Sequence, residues 1–200
     1  MTSIQLKGLS EALLFVKNAQ KQVAYAASKA INRTAIEVQN HEVSKELPGS
    51  LKIRSPWSKP RTKFGVNIRF ASKSKLFASV GSQAPWLALV EKGGTKLPPR
   101  KALPIPTDNI DTSRRRKRSE KPKQLIGSNG GFVLKFKKGG AGIFKRHGKA
   151  RGEIKALYIF KSQAQVKDTL NFYEAGLHVV NHRYLSIFSE ELSKAFATAK

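Results

Sequence analysis

Between residues 10 and 47, apolar side chains recur at three- and four-residue steps. Val23, Ala27, Ala30, Ile31, Ala35 and Val38 share one side, while Lys21, Lys29, Arg33 and Glu37 take the other. That period predicts an amphipathic helix, with a break near Asn18 and an end at Pro48-Gly49. The alanine-rich face of Ala24, Ala26, Ala27 and Ala30 lets a second helix approach closely. Core packing is the plain use of such a face and a subunit interface the alternative.

After Arg61 the period changes to two. Phe64, Val66, Ile68 and Phe70 alternate with Gly65, Asn67 and Arg69, and residues 76–81 read as a partner strand, so a hairpin with one wet, basic face is expected. A short apolar piece, residues 86–91, leads through Gly93-Gly94-Thr95 to Pro98, Pro99, Pro104 and Pro106, whose density keeps the backbone extended. Residues 132–137, 142–146 and 154–160 supply three more short strands, separated by Gly139-Gly140 and Gly148. Residues 168–197 close the chain as a helix with Asp168 as N-cap and an apolar stripe of Tyr173, Leu177, Val180, Tyr184, Ile187, Phe188, Leu192 and Phe196. These elements predict a single α+β domain spanning 1–200, in which long N- and C-terminal helices cover one face of a mostly antiparallel sheet of about five strands.

Charge changes this picture most. The 200 residues hold 38 Lys and Arg against 13 Asp and Glu, a net charge of +25. Residues 49–163 carry 28 of those cations and five acids, Glu91, Asp108, Asp111, Glu120 and Glu153, whereas the two ends together carry ten and eight. The ends read as scaffold and the middle as the part that faces anions. Within it, residues 108–128 form a basic segment expected to be mobile until an anion orders it. Arg114, Arg115, Arg116, Lys117 and Arg118 are its candidate contacts, joined by Lys145, Arg146, Lys149 and Arg151 near the later strands, where Lys155 adds to the positive surface. Contact would be with a DNA backbone or an acidic partner, because no helix-turn-helix pattern is present for reading bases and the aromatics Phe132, Phe136, Phe144, Tyr158 and Phe160 alternate as a strand core does.

Catalytic signatures are missing. The chain has no cysteine, no Gly-x-Ser-x-Gly and no His-Glu-x-x-His. The glycines at 139, 140, 142 and 148 have the wrong spacing for a phosphate loop, and Ala150 stands where Ser or Thr is needed. Asp108, Asp111 and Glu153 are too few for two-metal hydrolysis. Glu174, His178 and His182 sit four apart on one helix side, a geometry open to a metal, but a solvated polar stripe is the simpler use. Trp57 and Trp86 are expected to be buried, with an interface anchor as the alternative. No catalytic, cofactor-binding or metal residue is therefore assigned. No apolar run reaches membrane-spanning length, and residues 1–7 lack the features of a secretory signal, so assembly in the cytoplasm without a membrane partner is expected.

Several segments, taken in order, resemble the minor tail protein Z family of long-tailed phages and prophages. They are Ala30-Ile31-Asn32-Arg33-Thr34-Ala35, then Trp86-Leu87-Ala88-Leu89-Val90-Glu91-Lys92-Gly93-Gly94-Thr95 with its prolines, then Gly142-Ile143-Phe144-Lys145-Arg146-His147-Gly148-Lys149-Ala150-Arg151-Gly152 with Ile154-Lys155-Ala156-Leu157-Tyr158, and the closing helix after Val166. The resemblance implies a non-enzymatic tail-completion protein of the virion, joining the head-proximal end of a finished tail and helping it connect to a DNA-filled head. Expected partners are other tail and head-tail connector proteins, further copies in a homo-oligomeric ring for which six is one candidate number, and the backbone of phage DNA. The charge density at residues 114–118 departs from the family pattern. The competing expectation, from charge alone, is a freestanding nucleic-acid-binding protein without sequence preference.

Overall fold

A computed structural model describes residues 9–53, 55–127, 130–137, 139–147 and 153–198. The fold is α+β, and its contacts gather into two compact units. The first holds residues 1–50, 57–84 and 171–200, and the second 51–56 and 85–170.

The first unit is built on two long helices, α1 (Leu9–His41) and α5 (Phe172–Ala197). No glycine or proline interrupts Leu9–His41, so α1 runs unbroken through Asn18, where a break was expected. It passes through a π-helical turn at Glu42–Glu46 into the short α2 (Leu47–Ser50), and Pro48 is accommodated in the first turn of that new segment. The alanine face does admit a partner: Ala26 and Ala30 are fully buried, and Gly176 and Ala195 of α5 are buried too. A Cβ on Gly176 would lie 3.4 Å from the Val38 side chain, so the helices touch at van der Waals distance there.

The N-cap of α5 is Asn171, which makes no side-chain cap hydrogen bond, and Asp168 lies outside the helix. Its predicted apolar stripe divides. Ile187 is buried, whereas Tyr173, Leu177, Val180 and Phe196 are exposed, and it is Gly176 that meets Val38 of α1.

Against this pair lies an antiparallel hairpin of β1 (Val66–Arg69) and β2 (Ser79–Ser82), with Val66 opposite Ser82 and Arg69 opposite Ser79. Asn32 fastens it to α1 by two bonds to one residue: its amide donates to the Ala71 carbonyl at 3.0 Å and its side-chain oxygen accepts from the Ala71 N–H at 2.7 Å. Gln39 donates to the Val66 carbonyl at 2.6 Å.

The second unit contains α3 (Leu87–Lys92), β3 (Gly94–Lys96), β4 (Leu103–Pro106), α4 (Pro122–Gly127), β5 (Gly131–Lys135), β6 (Ala141–Arg146), β7 (Ile154–Lys161) and β8 (Ala164–Val166). β3 pairs only with β8, and the other four form an antiparallel sheet in the order β4, β7, β6, β5. The single sheet of about five strands is thus replaced by sheets of two, two and four, and the long helices share their unit with the hairpin, not with the four-stranded sheet. Hydrophobic periodicity marks where strands are and says nothing of which edge each will join. Pro104 and Pro106 lie within β4, an edge strand, where alternate backbone positions owe no hydrogen bond to a neighbour. The core of this unit is Ile110, Leu125, Ile143, Leu157 and Tyr158, with Phe160 packed on it.

Candidate anion-facing surface

The basic segment is tethered at both ends by residues just outside its charged run. Ile110 and Leu125 are buried in the core described above. Upstream, Thr107 and Asn109 donate to the Ala156 carbonyl at 2.5 and 2.9 Å. Downstream, a 3-10 turn at Arg118–Glu120 leads into α4. Residues 112–124 contain no apolar anchor, and the buried side chains that flank them are Ile110 and Leu125.

Within the segment the cations fall into two groups. Arg114 is an internal clamp, with its guanidinium 2.7 Å from Glu120 Oε1 and 2.9 Å from Asp111 Oδ2. The hydrogen bond from Arg114, with a second from the Lys117 backbone, holds the Glu120 carboxyl below its ordinary range. Asp111 is lowered too, first by the Ser113 hydroxyl and backbone and then by Arg114. Arg116 donates to the Tyr158 hydroxyl at 3.1 Å. Arg115, Lys117 and Arg118 are exposed, and they are the members of the run free to meet a partner.

A second group lies at the β6 and β7 ends. Lys145 and Arg146 are exposed on β6, and Lys145 stands directly opposite Lys155 in the strand register. Like charges in that position repel, and an external anion relieves the repulsion. Lys149 and Arg151 lie outside the described residues. Lys121, a cation of the basic segment outside its candidate contacts, and Lys96, which the sequence pattern does not single out, join Arg116 around one cavity of the second unit.

The unit boundaries sharpen the charge argument. The second unit has 23 Lys and Arg against six acids, a net of +17, and the first has 15 against seven, a net of +8. In the first unit the helices pair their charges: Arg33 reaches Glu190 at 2.7 Å and Glu191 at 3.1 Å, and Arg183 reaches Glu37 at 2.8 Å. An apolar groove of about 490 Å³ opens in the same unit, lined by Ile31, Val38, Val80, Phe172, Leu177 and Val180 among others. Tyr173 on its wall is 68% exposed.

His178 and His182 stack with ring centroids 4.1 Å apart, and both are exposed. Among the described residues, no group of three or more His, Asp or Glu could hold a metal ion, and no helix is long and apolar enough to cross a membrane. Phe132 stacks on Phe144 at 6.5 Å and Phe136 meets Phe144 edge-on at 6.0 Å, so these rings pack on one another. Trp86, expected to be buried, is 40% exposed. No protein-family model, no curated protein and no solved structure matches the chain.

Proposed function

We propose that the chain is a structural subunit of a phage tail, a minor tail protein that completes the head-proximal end and helps join it to the DNA-filled head without catalysing a reaction. The reading starts from the ordered resemblance of residues 30–35, 86–95 and 142–158 to the minor tail protein Z family. The observation that carries it physically is the contrast between the units: one pairs its helix charges and leaves an apolar groove open, and the other concentrates a net charge of +17.

An open apolar groove suits packing against tail or head-tail connector proteins, or against further copies in a ring, with six as one candidate number. A cation-rich unit suits the backbone of phage DNA or an acidic protein surface, through Arg115, Lys117, Arg118, Lys145 and Arg146. Around a ring, contacts that are weak in one subunit add up. The protein in this reading belongs to the virion and is assembled in the host cytoplasm.

Sedimentation of the purified protein, alone and with isolated tails, tests the proposal, followed by imaging of the particles to locate the chain relative to the tail axis. A ring or a tail-bound species is expected. A protein that stays monomeric, ignores tails and binds DNA or RNA tightly at physiological salt would overturn it in favour of a freestanding nucleic-acid-binding protein, the reading that the exposed Arg115, Lys117 and Arg118 favour.

A further inference from the structure

A cavity of about 370 Å³ in the second unit is lined by Lys96, Leu103, Pro104, Ile105, Arg116, Lys121 and Pro122. Its size falls at the lower end of the roughly 300–1,000 Å³ typical of small-ligand pockets. Three of the lining residues are cations and none is an acid. The acid nearest in sequence is turned to other work, since Glu120 accepts from Arg114 at 2.7 and 3.3 Å and from the Lys117 N–H at 2.9 Å.

Arg116 is held by a neutral partner. The Tyr158 hydroxyl accepts from its guanidinium at 3.1 Å and donates to the Glu120 carbonyl at 2.8 Å, and Tyr158 itself is fully buried. The guanidinium is therefore positioned by a group that brings no opposing charge, which is the arrangement that favours bidentate capture of a phosphoryl group. The apolar lining, Leu103, Pro104, Ile105 and Pro122, gives a flat group attached to that anion a surface to rest on.

We infer that this pocket binds a single nucleotide, its phosphate ester between Arg116, Lys96 and Lys121 and its flat apolar portion against the Leu103, Pro104 and Pro122 surface. The nucleotide comes either as a free nucleoside monophosphate or as one residue of a nucleic-acid strand. The site stands apart from the tail assignment, because it needs neither a ring nor a tail partner.

Calorimetric titration of the full chain with adenosine monophosphate, adenosine, inorganic phosphate and a short single-stranded oligonucleotide tests it. Binding of the monophosphate, the oligonucleotide or both is expected, with adenosine and inorganic phosphate each weaker, since neither fills both halves of the site. Arg116→Gln is expected to weaken binding about tenfold or more, the size of a lost hydrogen bond to a charged group. Arg116→Lys should recover part of the loss. Lys96→Gln with Lys121→Gln, both exposed, gives the same answer should Arg116→Gln fail to fold. Response to the monophosphate marks a free nucleotide as the ligand, and response to the oligonucleotide alone marks a strand. No binding of either, equal binding of inorganic phosphate, or an equal loss in Lys135→Gln with Lys137→Gln, exposed cations that neither line this cavity nor belong to the candidate DNA contacts, would overturn the inference, because each points to diffuse charge in place of a built site.

Discussion

The Tyr158 hydroxyl donates a hydrogen bond to the backbone carbonyl of Glu120 at 2.8 Å, so the largest fully buried side chain among the described residues reaches out to the basic segment. Removing that oxygen by Tyr158→Phe breaks this bond and the one it accepts from Arg116, and is expected to cost about 1–3 kcal/mol, twice the usual net value of one such bond. The local effect should be larger than the global one. Hydrogen exchange of the amides in residues 111–121 is expected to quicken while β6 and β7 stay protected, and unchanged exchange there would show that the segment is held by something else.

Gly142 lies on β6 where a Cβ would stand 2.7 Å from the Tyr158 carbonyl oxygen and 3.0 Å from the Phe144 ring. A backbone oxygen cannot swing aside, so Gly142→Ala must push β6 and β7 apart. A loss of about 1–3 kcal/mol is expected, as for other overpacked sites. Denaturant unfolding measures it, and a variant as stable as the parent would refute the close approach.

The ion pairs between α1 and α5 make the helix pair acid-sensitive. A hydrogen bond from Arg183 holds the Glu37 carboxyl below its ordinary range, and bonds from Lys194 and then Arg33 do the same for Glu190. A carboxyl lowered in the folded state contributes stability above its unfolded pKa of about 4.3 and loses that contribution as pH falls through the folded value. The unfolding temperature is therefore expected to drop on acidification from about pH 5 toward pH 3. Arg33→Gln with Arg183→Gln should flatten that limb, and added salt should weaken it, because these side chains are largely exposed.

Arg114 and its neighbours are expected to separate by role. Arg114→Gln opens the clamp on Asp111 and Glu120 and should speed amide exchange across residues 111–120. Arg115→Gln with Arg118→Gln should leave the unfolding temperature where it was and reduce the salt dependence of DNA binding by a slope of about two, the value for two lost phosphate contacts. If the pair of variants left the slope untouched, these arginines would not be the ones that meet phosphate.

The sequence by itself determined the elements whose burial is local and periodic. The apolar steps from Ala27 to Val38 report a helix face whatever packs on it, and the alternation at 132–137, 142–146 and 154–160 reports strands in the same way. Charge segregation is equally legible, since it is a count. Tertiary structure alone decided the pairings: the three separate sheets, the approach of Gly176 on α5 to Val38 on α1, and the gathering of Lys96, Arg116 and Lys121 around one cavity. The last is the clearest case, because Lys96 and Lys121 are 25 positions apart and nothing along the chain joins Lys96 to the basic segment that holds Lys121. Arg116 differs from Arg115 only through a hydroxyl 42 residues away. Periodicity encodes one element at a time, and partners distant along the chain leave no mark on it.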